Sequence, residues 1–585
     1  MSYDTILVHV DLSRHARQRI EVAAAIGVEH RSHLVGAAMT GIASAVFPRG
    51  YNVPPGTLLA SYVEPLARSA RRALDDFEAI ARRHGVSYET RMVCDQVPDG
   101  LALLARFADL AVVTQDDPDE SLGNTPSAAR MPDYVVLNAG RPVLVVPRAA
   151  PPPAPACPRR VPLCWNGSRQ ASSAMSAALP LLRRADRTTL AVFAAADTDD
   201  CASDQELADA QAFLEHHGVR ADLIRRDPRR DPRRGVPNDV GGAMLALAAE
   251  RDCDLLVMGC YGHSRLQQLL LGGASSTVLR DAALPVLMAR QAAPKRITHP
   301  APPCHPRKGT AMYKTIIVHV DDSPALDARL RAAAWLADAH GAHLVGAAAT
   351  GMSWPAYAVL TGSMAVAPGD EYDALRAAGR QSLERFAERA RQLGVQSPEG
   401  RLVEDENRDA LLLQSRYADL VVIGQDTPDP GSPRGLPQYL ALHGPRPVLV
   451  VPPSYGGQPL ADSIVVGWDG SVPALRAIAG ALPLLARAAM VRLALVDPER
   501  ESGLHGDEPG ADMALYLARH GVKVEVVVER GGTPAGQALL GIAQDAGAGL
   551  LVSGAYGHSR YREIVLGGAT RVLLERAPLP VLFAH

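Results

Sequence analysis

The chain has 585 residues, 47% of them hydrophobic and 21% charged, and a formal net charge of −3. That length exceeds what one hydrophobic core fills and, at roughly 100–200 residues per domain, points to about four. The near-neutral balance argues against a charge-driven partner such as nucleic acid or a membrane surface. Seven cysteines (Cys94, Cys157, Cys164, Cys201, Cys253, Cys260, Cys304) are scattered, odd in number and never spaced as CxxC, so they imply neither a disulfide framework nor a zinc site. The opening MSYDTILVHVD lacks the basic stretch and long apolar core of a secretory signal. No run approaches the roughly 18 apolar residues of a membrane span, so the expected location is the cytoplasm.

Taken in chain order, the sequence repeats itself. Tyr3 to Ser13 (YDTILVHVDLS) returns as Tyr313 to Ser323 (YKTIIVHVDDS), and HLVGAAMTG at 33–41 returns as HLVGAAATG at 343–351, both displaced by 310 residues. The second and fourth quarters match in the same way. Trp165-Asn166-Gly167-Ser168 corresponds to Trp468-Asp469-Gly470-Ser471, ALPLL at 178–182 to ALPLL at 481–485, and YGHSR at 261–265 to YGHSR at 556–560. The displacement falls from 303 to 295 on the way, so eight residues are inserted in the second quarter, and the tandem DPRRDPRR at 227–234 supplies them. That stretch reads as a solvated surface loop. Linkers are marked by PPPAPACP at 151–158, by 291–311 and by PPSYGGQP at 452–459. Four units follow: 1–150, 158–290, 312–453 and 460–585.

Each unit alternates strands and helices. In the fourth, SIVVGW (463–468) is a strand, 473–488 has helical spacing and VRLALV (491–496) is again strand-like. There follow helix 509–520, strand 522–528, helix 534–546, strand GLLVSG (549–554), helix 568–576 and strand LPVLFA (579–584). Apolar strands alternating with helices predict four tandem α/β domains of the Rossmann-like kind, each a doubly wound, five-stranded parallel sheet. The closing strands PVLVV (142–146) and PVLMA (285–289) are expected to pair unit one with unit two, since an unpaired apolar edge invites aggregation, and units three and four should pair likewise. The relation between the halves, including a homodimer of the chain, stays open.

In such sheets ligands bind beyond the carboxyl ends of the strands, which selects the loop after the fourth strand of each unit. In unit two this loop contains Gly259, Gly262, His263, Gly272, Gly273, Ala274 and Ser275; in unit four, Gly554, Gly557, His558, Gly567, Gly568, Ala569 and Thr570, at identical spacing. Glycine is needed where backbone amides approach a phosphate or where φ is positive. The second glycine pair opens the last helix, whose first N–H groups face an anion, and Ser275 or Thr570 can add a hydroxyl. A helix terminus supplies about 0.3–2 kcal/mol against the roughly 8 kcal/mol of micromolar binding, so a base and sugar pocket must contribute. Asn166 and Asp469, at the ends of the first strands, are candidates for a ribose hydroxyl or a base edge; alternatively WNGS and WDGS only cap the next helix. Neither GxxxxGK[ST] nor GxGxxG after a first strand occurs.

The VHVD or GWDGS first strand, the Gly-x-x-Gly plus nine residues plus Gly-Gly loop, and the closing PVL strand together resemble the universal stress protein family, as four tandem domains. The resemblance implies an α/β fold that pairs through its last strand and, in one branch, binding of ATP or AMP by this loop. ATP would bring a divalent cation such as Mg2+, for which no dedicated cluster is visible. In the commoner family motif a Ser or Thr follows the third glycine; Gly273 and Gly568 stand there, removing one hydroxyl donor. Units one and three depart further, with VVTQDDPDES (112–121) and VVIGQDTPDP (421–430) replacing the glycines. Asp116 and Asp117 would repel phosphate, so these units are expected to bind no nucleotide.

The leading expectation is therefore a nucleotide-binding regulatory protein of the stress response with a protein partner. The alternatives are slow ATP hydrolysis and a ligand-free scaffold. Hydrolysis lacks a common first-strand base, since Asn166 cannot take a proton where Asp469 could, and leaves His263 and His558, which read better as solvent or phosphate contacts. His9, His319, His33 and His343 read as packing or edge residues.

Overall fold

The apolar runs of the sequence form the centres of two ten-stranded sheets. The computed structural model describes residues 3–41, 58–93, 95–117, 119, 131–148, 158–193, 203–227, 239–260, 273–289, 312–354, 357, 370–426, 435–499, 509–555 and 568–585. The chain divides into two halves, Met1–Ala301 and Pro302–His585, each carrying one sheet.

Unit one consists of β1 (Thr5–His9), α1 (Ala16–His30), β2 (His33–Met39), α2 (Leu58–His84), β3 (Ser87–Val93), α3 (Val97–Leu104), β4 (Leu110–Thr114), α4 (Met131–Asn138) and β5 (Val143–Val146). Unit two follows with β6 (Arg160–Trp165), α5 (Arg169–Leu182), β7 (Arg187–Phe193), α6 (Asp204–His216), β8 (Ala221–Arg226), α7 (Val240–Glu250), β9 (Leu256–Gly259), α8 (Ala274–Asp281) and β10 (Val286–Ala289). The second half repeats the scheme. Unit three has β11 (Thr315–His319), α9 (Leu326–His340), β12 (His343–Ala349), α10 (Asp370–Gln392), β13 (Glu399–Val403), α11 (Asn407–Ser415), β14 (Leu420–Gly424), α12 (Leu436–His443) and β15 (Val448–Val451). Unit four has β16 (Ser463–Gly467), α13 (Val472–Leu485), β17 (Met490–Val496), α14 (Ala511–Arg519), β18 (Val524–Glu529), α15 (Ala535–Asp545), β19 (Leu550–Gly554), α16 (Ala569–Arg576) and β20 (Val581–Ala584).

The first sheet runs β3-β2-β1-β4-β5-β10-β9-β6-β7-β8, which is the order 3-2-1-4-5 followed by its mirror; the second sheet is ordered identically. Strands within a unit are parallel. At the centre the closing strands PVLVV and PVLMA pair antiparallel, with Val145, Leu144 and Val143 opposite Val286, Leu287 and Met288. In the second half Val448, Leu449 and Val450 face Phe583, Leu582 and Val581. All four residues of β5 and of β10 are buried, so the apolar core passes through this junction without a break. The outermost strands differ: β3, β8, β13 and β18 are only partly buried and carry charges such as Glu89, Arg225 and Glu525. Charged edges discourage further strand addition. The unbroken burial of inner strands such as β1, β4 and β5 thus gives way to partial burial at the rims.

Candidate functional site

In units two and four three helix starts meet at the carboxyl ends of the first and fourth strands. β6 leads into Asn166, whose side-chain oxygen accepts from the Ser168 amide (3.2 Å) and hydroxyl (2.6 Å); Ser168 in turn caps α5 by accepting from Ala171 N at 3.1 Å. Unit four repeats the turn, with Asp469 accepting from Ser471 N at 2.9 Å and Ser471 capping Ala474 N at 3.2 Å. The helix-capping alternative for WNGS and WDGS is therefore realised. It occupies one oxygen of each side chain while holding that side chain at the strand end.

Gly259 and Gly554 have a packing reason to be glycine. A Cβ on Gly259 would lie 2.5 Å from Ala171 N, and one on Gly554 2.3 Å from Ala474 N, so the fourth strand abuts the start of the first helix of its unit. Close approach of helix and strand by itself requires glycine at these two positions. A second close approach joins the other two helix starts: a Cβ on Gly241 of α7 would meet Ala274 O at 2.8 Å, and one on Gly536 of α15 would meet Ala569 O at 3.0 Å. These glycines were not singled out from sequence; their place in the first turn of a helix was the available signal.

The last helix of each of these units begins without a side-chain cap. α5 and α7 start on side-chain caps, Ser168 and Asp239, whereas α8 starts at Gly273 and α16 at Gly568 with no side-chain cap. A Cβ on Gly273 would meet nothing within 4 Å. Ala274 and Ala569 are the first helical residues, and Ser275 and Thr570, one position on, are buried at 8% and 4% exposure. Helix starts that converge here, the last of them without a side-chain cap, make a positive end suited to an anion. Gly262, His263, Gly272, Gly557, His558 and Gly567 lie outside the described residues, as does 228–234 of the Arg-rich insertion.

Units one and three fill the same point with a cation of their own. Arg19, projecting from α1 and 1% exposed, donates to His9 O (2.7 Å), Thr114 Oγ1 (2.6 Å) and Asp11 Oδ1 (2.8 Å). Arg329 of α9, 3% exposed, donates to both carboxylate oxygens of Asp321, at 3.2 Å to Oδ2, and to Ser323 Oγ at 3.2 Å. Around Arg329, Asp321, Gly424 and Leu436 only about 10 Å³ of cavity remains, no more than one water needs. Burial alone would raise the Asp321 carboxyl, but Arg329, His319 and the hydrogen bonds bring it down to about 2. Asp11 is held below the usual carboxylate range in the same way. Burial, and secondarily the arginine, lowers His9 and His319 to about 4. Both imidazoles are therefore neutral near pH 7, and the arginine is the cation that keeps each aspartate ionised.

Asp117, one of the two carboxylates expected to repel phosphate, is engaged within unit one. Its carboxylate is folded onto His15 at 2.6 Å and Arg14 at 2.9 Å, so its charge is compensated, and the guanidinium of Arg19 is what occupies the crevice. Sequence reading missed both arginines. The signal was available: eight residues past the first-strand Asp11, Asn166, Asp321 and Asp469 stand Arg19, Ala174, Arg329 and Ala477.

Five-stranded parallel sheets of order 3-2-1-4-5, joined through their last strands and gathering helix starts at the strand ends, define a paired, Rossmann-like α/β protein. The profile of the Universal stress protein family matches residues 159–290, 312–452 and 461–585, and the chain belongs to that family. Among solved structures it is similar to a universal stress protein from Archaeoglobus fulgidus DSM 4304, at 12% identity over 50% of this chain and 97% of that one, TM-score 0.38. It is also similar to a member of the family from Burkholderia pseudomallei, at 27% identity over 25% of this chain and 99% of that one, TM-score 0.20. A universal stress protein in complex with cAMP is 23% identical over 24% of this chain and 98% of that one, TM-score 0.18. Comparison with curated proteins gives no match. Among the described residues no helix is long and apolar enough to cross a membrane.

Proposed function

We propose that the chain is a cytoplasmic, adenine-nucleotide-binding regulatory protein of the stress response. Units two (158–290) and four (460–585) are the binding domains, and units one (1–150) and three (312–453) are their packing partners. The observation that carries this reading is the difference at one point of the fold: Ala174 and Ala477 on the first helix of units two and four, where units one and three hold Arg19 and Arg329 paired with the first-strand aspartate. Membership of the universal stress protein family makes ATP or AMP the ligand of choice. The phosphates sit at Gly273–Ser275 and Gly568–Thr570 together with Gly262, His263, Gly272 and Gly557, His558, Gly567, while Asn166 and Asp469 meet the sugar or base. ATP carries its own Mg2+ into the site. Binding changes the surface that the unit offers to a protein partner.

The test is calorimetric titration of the full chain with ATP and with AMP, beside the variant Ala477→Arg. Asp469 can accept a guanidinium as Asp321 does, so the variant should fold, with unit four closed and uptake reduced by about half. Absence of heat or thermal protection in the wild type removes the reading. Undiminished uptake in the variant moves the site away from this crevice.

A further inference from the structure

The helix α8 is held at its two ends by different units. At its far end the carbonyl of Ala282, which closes the helix, accepts a hydrogen bond from the side-chain amide of Gln115 at 2.9 Å. Gln115 belongs to unit one, immediately past β4, and is 6% exposed. Its side-chain oxygen accepts from the backbone N–H of Arg148, just beyond β5, at 3.0 Å. Both polar ends of the glutamine are thus engaged, and its amide is presented to the neighbouring unit in one orientation. The second half repeats the device: Gln425, immediately past β14, donates to Ala577 O at the end of α16 at 3.4 Å. The last carbonyls of a helix have no partner within it, and a donor there completes the cap and suits the negative end of the dipole.

The tie runs in one direction. The positions in units two and four that correspond to Gln115 and Gln425 are Cys260 and Ala555. The methyl of Ala555 can donate nothing, and the Cys260 thiol is turned onto Ala289 O of its own unit at 3.3 Å. Glutamine therefore stands only in the units whose crevice is filled by arginine, and it reaches the helix of the neighbouring unit that begins at Gly273 or Gly568 without a side-chain cap. That helix has 8 residues and so is about 12 Å long. A rod this short transmits a displacement of one end to the other.

We propose that Gln115 and Gln425 are positioning residues that act across the unit boundary, each fixing the helix whose opposite end receives the phosphate of a nucleotide. The proposal rests on the nucleotide-binding reading above and gives units one and three a task beyond packing. To test it, wild type, Gln115→Ala, Gln425→Ala and the double variant, all as full chains, are titrated with ATP while amide hydrogen exchange is followed at 274–281 and 569–576. Exchange should quicken at 274–281 in Gln115→Ala and at 569–576 in Gln425→Ala, each without effect on the other helix. The double variant should bind ATP about fivefold more weakly, as expected for one hydrogen bond lost per site. Gln115→Glu keeps the length but has no N–H to donate, and should reproduce Gln115→Ala. If the double variant binds ATP as tightly as wild type, or loses thermal stability with an unchanged Kd, the proposal is overturned and the nucleotide reading stands. If wild type takes up neither ATP nor AMP, both fall.

Discussion

Units three and four place an aspartate at the same point, two residues past the first strand, and fold it into the same turn: Asp321 accepts from Ser323 N at 3.1 Å and Asp469 from Ser471 N at 2.9 Å. They part eight residues later, where α9 carries Arg329 and α13 carries Ala477. In unit three the carboxylate is paired with a guanidinium; in unit four the corresponding position on the first helix is a buried alanine. One substitution on the first helix thus separates a copy of the fold filled by its own cation from one that lacks it, and the first half repeats the contrast with Arg19 and Ala174.

The sharpest way to break this contrast is to remove the internal cation. Arg329→Ala leaves the Asp321 carboxylate, 19% exposed, without its partner, and should cost about 3 kcal/mol in urea unfolding, since one member of a buried pair is expensive alone. The pair of changes Arg329→Met with Asp321→Asn should recover most of that loss; if it does not, packing rather than charge holds the site. Next in size is the strand-to-helix contact shared by the open units. Gly554→Ala puts a Cβ 2.3 Å from a backbone nitrogen that cannot move cheaply, and should cost about 2–3 kcal/mol.

Acid should act selectively on the closed units, because their first strands end in the buried histidines His9 and His319. His9 and His319 take a proton only at about 4 in the fold, whereas the unfolded chain binds one near 6.5. Between those values the unfolded state carries more protons, so stability falls as pH drops from about 6.5 to 4 and levels off below, by on the order of 3 kcal/mol per histidine. Exchange at β1 and β11 should quicken first in that window; equal sensitivity at β6 and β16 would contradict the assignment. The smallest effect is expected at Gly273→Ala, where a methyl meets open space and φ is −71°: stability should stay within about 0.5 kcal/mol. A larger loss would mean that the glycine is required by the fold.

Much of the architecture was legible because it depends on local pattern. Apolar runs such as TILVH and VLVV, the 310-residue repeat and the serines before α5 and α13 each specify an element or its start from neighbours in the chain. The pairing of PVLVV with PVLMA was also readable, since an apolar closing strand must be covered. The candidate site was legible in part. Asn166, Asp469, Gly273 and Gly568 stand where strand and helix order put them, but the backbone packing at Gly259 and Gly554 and the pairing of Asp117 with Arg14 and His15 were not readable from the sequence.

By itself, then, the sequence determined the four α/β repeats, their strand and helix order and the loops that open on the strand ends, because periodicity and capping are properties of nearby residues. Tertiary structure decided what occupies those ends. Arg19 meets Thr114 across 95 positions and Gln115 meets Ala282 across 167, and no local rule tells a long polar side chain on a helix or loop whether it will find water, a ligand or a partner from another strand.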